Sequence, residues 1–273
     1  MNFGNISIIG TSISGFATTL TVPELNLNLD LGLTTDDSLK CPTVLLTHGH
    51  LDHMHGIIRH SYLRDLMGIA QKARFICAPE LVPLIHDLFK LWSRFQHSKM
   101  PEYEVVPVEP GGEVRVGQRM FARPFKSDHR VPCQGYTIVE IRDKLLPEFV
   151  GLEGKAIGQL KSQGVQVTEK VEFPILAYTG DTTARLFDMG GPFLKVPLLL
   201  AECTFMGEDQ DPAFARERGH THLNDLAERA ELFRDVGEIL LVHFSQRYTN
   251  GFIAENLARL PDGFREKVRF LRM

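Results

Sequence analysis

Residues Thr47-His48-Gly49-His50-Leu51-Asp52-His53 place three imidazoles and a carboxylate within six positions. They follow Thr43-Val44-Leu45-Leu46, an apolar, β-branched run that reads as a buried strand. Gly49 lets the backbone turn as it leaves that strand. Side chains one residue apart diverge, so the pairs His48/His50 and Asp52/His53 aim at two neighbouring centres rather than one. Imidazole and carboxylate donors suit zinc ahead of manganese or iron. A lone histidine in such a loop would read as a surface residue. Four ligand-type groups clustered behind a strand read as a metal-binding hydrolase signature.

Composition narrows the rest. A chain of 273 residues with 43% hydrophobic and 23% charged residues is ordinary for a globular protein with a substantial core. A net charge of −4 excludes a generally basic nucleic-acid coat and leaves room for a local basic surface. Cys41, Cys77, Cys133 and Cys203 form no Cys-x-x-Cys pair, which argues against a zinc knuckle or a disulfide framework. A reducing cytosol is the expected setting. The stretch Met1 to Leu20 lacks a positive start and is broken by Gly4, Gly10 and Gly15, so no signal peptide is expected. No apolar run approaches the roughly 20 residues of a membrane span.

The pattern along the chain alternates strands with helices. Asn5 to Ile9, Thr18 to Val22, Leu25 to Asp30 and Thr43 to Thr47 read as strands, and Gly56 to Ala70 as a helix. Arg74 to Ala78 reads as a strand and Pro79 to Arg94 as a helix with Leu81, Leu84, Leu88 and Leu91 on its apolar positions. Tyr103 to Val108 and Glu113 to Ala122 alternate like paired strands around a Gly111-Gly112 turn. Tyr136 to Ile141, Ile175 to Thr179, Leu198 to Glu202 and Ile239 to His243 follow as strands, with His222 to Phe233 an amphipathic helix. This predicts a layered α/β architecture in one domain over 1–273, interrupted only by a polar, lysine-bearing excursion at 144–170.

Further ligand-type residues stand at the ends of these strands. His129 follows Phe125-Lys126-Ser127-Asp128, Asp181 follows Thr179-Gly180, and His243 ends Leu240-Leu241-Val242. His220 and His222 precede a helix with Thr221 as its expected N-cap. Glu202 ends a strand where it could orient a neighbouring side chain. His55, His60, His86 and His97 carry no partner signal and read as surface or satisfied core residues.

Together these segments resemble the metallo-β-lactamase superfamily and, within it, the ribonuclease Z family of tRNA 3′-end endonucleases. Thr-His-Gly-His-Leu-Asp-His marks the superfamily. Ala215-Arg216-Glu217-Arg218-Gly219-His220 and His243-Phe244-Ser245-Gln246-Arg247-Tyr248 match the tRNA enzymes more narrowly, closest to the short plant form. The resemblance implies an αββα sandwich, two β-sheets packed face to face with helices outside. It also implies two zinc ions, with His48, His50 and His129 holding one, Asp52, His53 and His243 the other, and Asp181 bridging. Such a pair, about 3.5 Å apart, would share a hydroxide that attacks the phosphate. Asp52 would accept its proton, and His220, oriented by Glu217, would protonate the leaving oxygen, with His222 competing for that place.

Arg247 would face a phosphate. Precursor tRNA as substrate, a homodimer and a cytoplasmic location are implied as well. The family holds the tRNA elbow with an arm inserted between the third-motif histidine and the bridging aspartate. Here that interval offers Lys144, Lys155, Lys161 and Lys170 but no Gly-Pro-rich arm, and Lys155 and Lys161 are the candidate contacts. Two rival readings stand beside this one. One is a binuclear metallohydrolase of the same fold acting on a small ester, lactone, thioester or cyclic phosphodiester. The other is a metal-free homologue serving as a scaffold.

Overall fold

Parallel strands covered on both faces need continuous apolar sequence, and Leu198–Glu202 and Glu238–Val242 supply it. The computed structural model describes residues 1–208 and 210–272. In it these strands pair in parallel within a seven-stranded sheet. Its order is Val268–Phe270, Glu238–Val242, Leu198–Glu202, Thr168–Tyr178, Gln134–Leu145, Met120–Lys126 and Val114–Arg115. A second seven-stranded sheet runs Phe244–Ser245, Ile9–Ser14, Ala17–Val22, Leu27–Leu29, Thr43–Leu45, Ala73–Cys77 and Tyr103–Pro107.

Side-chain alternation builds the layers. Leu198, Leu200, Leu240 and Val242 point at the other sheet and share a core with its Leu20, Leu27, Leu29, Leu45 and Ile76. Their neighbours Leu199, Ile239 and Leu241 point outward, where Phe187, Leu226, Ile253 and Phe264 from the covering helices meet them. On the opposite outer face Val44, Leu46 and Phe75 pack under Ile57, Ile85 and Phe89 of the helices Ile57–Leu66 and Leu81–Gln96. Each fully buried large side chain contributes roughly 1.5–3 kcal/mol. The order is helices, sheet, sheet, helices, and the expected αββα sandwich is present.

Three local expectations are corrected. Tyr103–Pro107 pairs with Ala73–Cys77, whereas Val114–Arg115 pairs with Met120–Lys126 in the other sheet. Gly111-Gly112 therefore lies on a crossing between sheets, not in a hairpin turn, because alternation specifies a strand but not its partner. The first strand splits: Ile6–Ser7 pairs with Asn2–Phe3, and Ile9–Ser14 enters the large sheet. The helix expected over His222 to Phe233 is Leu223–Glu228 followed by a 3₁₀ turn at Ala230–Phe233. Its N-cap is His222, whose Nδ1 accepts from the Asn224 N–H at 3.0 Å, and not Thr221.

The excursion is an arm. Gln134–Leu145 and Thr168–Tyr178 stay paired well beyond the sandwich, Leu145 opposite Thr168. The register shifts where Pro174 faces Val139, because proline has no N–H to give the ladder. Inward of that point Tyr136, Ile138 and Leu176 are buried; outward the strands are largely exposed. The tip carries a short helix, Gly154–Ser162, which places Lys155 and Lys161 in solvent. Lys144 and Lys170 instead stand opposite Glu169 and Asp143 in the ladder. Between 140 and 172 there are five basic and six acidic residues; the two lysines of the tip helix have no acid within that helix, whereas the three strand cations stand beside acids.

Candidate metal centre

Ligand-type residues meet because they follow strand ends on one edge of both sheets. Thr43–Leu45 runs into the Thr47–His53 loop, where Leu51–Met54 makes one helical turn capped by His50. Thr168–Tyr178 leads to Gly180, whose φ of +59° and contact with Thr47 leave no room for a Cβ, and so to Asp181. His243 sits between Glu238–Val242 of one sheet and Phe244–Ser245 of the other, and its φ of +65° makes that crossing possible. Left-handed backbone at a non-glycine residue costs of order 1–3 kcal/mol and is held by its surroundings, here by Ser12 Oγ on the His243 N–H at 2.9 Å.

Asp181 stands between two groups of donors. Its Oδ2 is 3.7 Å from His48 Nε2 and 3.9 Å from His129 Nε2. Its Oδ1 is 3.4 Å from both His53 Nε2 and His243 Nε2. His48, His50, His129 and Asp181 form one set of ligand atoms within 4.8 Å of one another, and Asp52, His53 and His243 form a second. His220 forms a third set with Asp181 and His243. Two oxygens of one buried carboxylate each face a different triad.

The outward ring nitrogens of His48, His53, His129 and His243 are engaged, which fixes the tautomers of these four. His53 Nδ1–H donates to Asp30 Oδ2 at 2.8 Å and His129 Nδ1–H to the Gly219 carbonyl at 2.7 Å. The Thr47 hydroxyl gives its proton to Asp30, so it accepts from His48 Nδ1–H at 2.9 Å. The Thr204 hydroxyl likewise donates to Glu202 Oε2 and accepts from His243 Nδ1–H at 2.9 Å. The inner nitrogens converge: His53 and His243 Nε2 lie 3.1 Å apart and His48 Nε2 lies 2.9 Å from His50 Nδ1, so once His53 has given up its inner proton it and His243 turn lone pairs on one point. Asp181 Oδ1 is buried with no hydrogen-bond partner among the described residues. Converging ring nitrogens around an unpartnered carboxylate oxygen fit divalent cations, and the nitrogen and oxygen donor set suits zinc.

Electrostatics point the same way. Burial pushes His48 down to about 2, with the charge of His53 adding to it. Burial would lower His53 too, but the carboxylates of Asp181, Asp30 and Asp52 overturn it and carry His53 up to about 10. Burial would raise Asp52, yet His243 and His53 hold it well below the usual carboxylate range. The pocket thus concentrates positive charge at one point between carboxylates, where a cation would sit.

The structure brings together all seven expected ligands, His48, His50, Asp52, His53, His129, Asp181 and His243, and adds His220 at their edge. It does not bring Glu217. That carboxylate is 81% exposed and 3.8 Å from Arg218, on the outer side of Pro212–Glu217. The residue beside His220 is Glu202, 1% exposed, with Oε1 at 3.1 Å from His220 Nδ1. Sequence spacing favours the acid three positions away on the same segment; the fold supplies one from a strand end instead. His222 is excluded from the centre, because its Nε2 donates to the Gly207 carbonyl while its Nδ1 caps a helix. Arg247 lies exposed in the turn after Phe244–Ser245, and Lys155 and Lys161 lie on the arm tip.

In the sequence Asp30 reads only as the end of a strand. At φ +55° its buried carboxylate accepts from the Thr47 N–H (2.7 Å), the Tyr178 hydroxyl (2.8 Å) and His53 Nδ1–H, besides the Thr47 hydroxyl. Through Thr47 it reaches His48, so one acid orients a histidine of each triad. An acid closing an apolar strand is the only trace of this in the sequence.

A family model described as Beta-lactamase superfamily domain matches residues 31–146. The chain is 30% identical over 264 residues to a chloroplastic tRNase Z (TRZ2) of Arabidopsis thaliana, covering 96% of this chain and 74% of that protein. It is 28% identical over 270 residues to another tRNase Z (TRZ1) of Arabidopsis thaliana, covering 98% and 95%. Among solved structures, a metallo-beta-lactamase fold protein of Bacillus subtilis superposes with a TM-score of 0.66 at 16% identity, covering 98% of this chain and 95% of that one.

Proposed function

The chain belongs to the ribonuclease Z family of the β-lactamase superfamily, and on that premise we propose that it removes the 3′ trailer from precursor tRNA as a zinc-dependent endonuclease. The observation that carries this reading is Asp181, with one oxygen turned to each triad. His48, His50 and His129 would hold one zinc ion, Asp52, His53 and His243 the other, and Asp181 both. Two such ions would bring water to a reactive state near neutral pH and stabilise negative charge on the phosphate.

The side chains supply the proton movements. Asp52, anchored by the Gly15 N–H on its Oδ2 at 2.7 Å, accepts the proton of the attacking water. Water adds to phosphorus, the P–O3′ bond breaks, and the oxygen leaving with the tRNA needs a proton. His220 is placed to give it. Burial would lower its pKa, but Glu202 reverses this and keeps the ring protonated further towards neutral pH, as a general acid requires. Arg247 is assigned to a flanking phosphate, and Lys155 and Lys161 on the arm tip to the tRNA body.

We assign the chain to the cytosol and to a homodimer. Among the described residues no helix is long and apolar enough to cross a membrane. The helix Leu81–Gln96 exposes Leu84, Leu91 and Phe95 in a stripe of the kind that subunit contacts cover.

The test uses two substrates. Purified protein is expected to cut a 3′-extended precursor tRNA and bis-p-nitrophenyl phosphate, to lose both activities to a chelator and to regain them with zinc. Cleavage of the small ester alone would replace the tRNA reading with a small-phosphodiester one. Reversing Lys155 and Lys161 to Glu should weaken precursor binding and make its salt dependence shallower, by up to about 0.9 in log–log slope for each phosphate the arm ceases to neutralise. An equal loss on the small ester would show that the changes reach the metal centre.

A further inference from the structure

A carboxylate out of water is costly unless it is paired. Asp225, buried near the start of Leu223–Glu228, is paired from two sides. Its Oδ1 accepts from Arg216 Nη1 at 2.6 Å and lies 3.8 Å from Arg229 Nη1, which also donates to the Asp225 carbonyl at 3.1 Å. Its Oδ2 has no hydrogen-bond partner among the described residues, so the Arg216 contact carries the hydrogen bonding of this side chain. Arg229 in turn holds both oxygens of Asp188, at 2.8 and 2.9 Å. The chain of charges ties together three short helices. Arg216 belongs to Pro212–Glu217, which leads into His220, and Asp188 to Arg185–Met189, which follows Asp181.

What this clamp holds is the segment Ala215–His220. The Gly219 N–H donates to the Arg216 carbonyl and the His220 N–H to the Ala215 carbonyl, both at 3.0 Å, so the segment is folded back on the last turn of its helix. There the Gly219 carbonyl takes the His129 Nδ1–H at 2.7 Å, with no slack: a Cβ on Gly219 would stand 2.8 Å from His129 Nδ1 and 2.9 Å from Arg130 Cγ. The next residue sets its ring against Glu202. A shift of the helix would therefore move His129 and His220 together. Turning Arg216 inward to Asp225 also turns Glu217, one position further round the helix, out to solvent.

We propose that Asp225 is a positioning residue for the metal centre. Through Arg216 it fixes Ala215–His220, and so sets His129 for its cation and His220 for the leaving oxygen. Exposed ion pairs contribute little because water and salt screen them; here the acid is out of water and the arginine is 45% exposed. The inference rests on the trailer-removal reading for the part played by His220. Its part at His129 needs no tRNA.

The test begins with metal-stripped protein, titrated with zinc against a chromophoric chelator. Asp225→Asn keeps the shape and removes the charge. It should weaken one of two zinc sites by roughly 10–100-fold, the range for loss of a group that orients a metal ligand, and leave the other as it was. Arg216→Ala should do the same, the double variant should lose no more than either single one, and Arg216→Lys should recover part of the loss. Amide exchange followed by mass spectrometry should quicken over residues 213–221 and stay unchanged in the strands Leu198–Glu202 and Glu238–Val242. In zinc-saturated protein, precursor cleavage should fall about tenfold or more, and hydrolysis of bis-p-nitrophenyl phosphate by less.

Three outcomes would overturn the proposal. A lower melting temperature with both zinc affinities unchanged would make the pair a stabiliser of the fold only. Additive losses in the double variant would show that Asp225 does not act through Arg216. Exchange quickened equally in the sandwich strands would show a global effect. If Asp225→Asn does not fold, the half-exposed Arg216 still allows the comparison of Ala with Lys, and equal zinc affinity in those two variants and the parent protein would likewise end the proposal. Weakened zinc binding in a protein that never cuts precursor tRNA would keep the positioning role and remove the trailer reading. Precursor cleavage with zinc affinity indifferent to Asp225→Asn would do the reverse.

Discussion

Asp181→Ala should leave the protein with at most one zinc ion per chain and cut precursor cleavage by about 10³-fold or more. The two oxygens of this carboxylate face separate triads, so under the proposed assignment it would balance charge for both. Its removal leaves six ligands but takes the shared anion from between two cations, and several kcal/mol of barrier lowering goes with it. Metal analysis after dialysis, beside single-turnover cleavage, checks this. Full metal content with full activity would end the bridging assignment.

Loading should also depend on pH in a definite direction. His53, carried to about 10 by the surrounding carboxylates, must give up a proton before its Nε2 can bind a cation, so zinc affinity rises with pH. In metal-stripped protein the same shift has the opposite sign for stability. A histidine pKa above its ordinary 6.5 contributes stability that is complete below 6.5 and is lost as pH rises towards 10. Thermal unfolding of stripped and zinc-loaded protein from pH 6 to pH 9 should diverge as pH increases.

The two kinds of site residue differ in how far the sequence reveals them. Candidate metal ligands are legible because chemistry forces them into a narrow set of residue types, and the fold puts them at strand ends, where apolar runs visibly stop. His243 after Leu240-Leu241-Val242 and Asp181 after a Thr-Gly turn are both found that way. The residues that orient them are not. Asp30, Thr47, Thr204 and Tyr178 are common types engaged in ordinary hydrogen bonding, and only the packing of the two sheets brings Asp30 to Tyr178, 148 positions away. Glu217 misleads for the same reason: proximity along the chain is a poor guide when acid and histidine come from different elements. In the fold, each strand is visible from its alternation, whereas the partner of Tyr103–Pro107 depends on which sheet the chain is completing. The arm hides because its strands are largely exposed beyond Pro174 and leave only scattered apolar positions, Ile141, Leu145, Val167 and Val171, rather than a run to read.

His220→Ala should retain both zinc ions and slow precursor cleavage by roughly 10²–10⁴-fold, the range for loss of a general acid. The leaving oxygen decides how the loss is distributed. A ribose 3′-oxygen is a poor leaving group and needs the proton, whereas p-nitrophenolate is stable without one, so hydrolysis of bis-p-nitrophenyl phosphate should fall much less. A merely structural histidine would damage both substrates alike. The acid that sustains His220 is identified by the same comparison. Glu202→Gln leaves Nδ1 an oxygen to donate to but removes the negative charge that favours the imidazolium, and it loosens the Thr204 link to His243. It should cost about 10–100-fold on precursor tRNA, as changes to residues that orient a metal ligand commonly do. It should also shift the falling limb of the pH–rate profile to lower pH, since His220 would then lose its proton sooner. Glu217→Gln, out in solvent beside Arg218, should change neither quantity. A loss with Glu217→Gln and none with Glu202→Gln would reverse the assignment and require the Pro212–Glu217 helix to turn its acid inward when tRNA is bound.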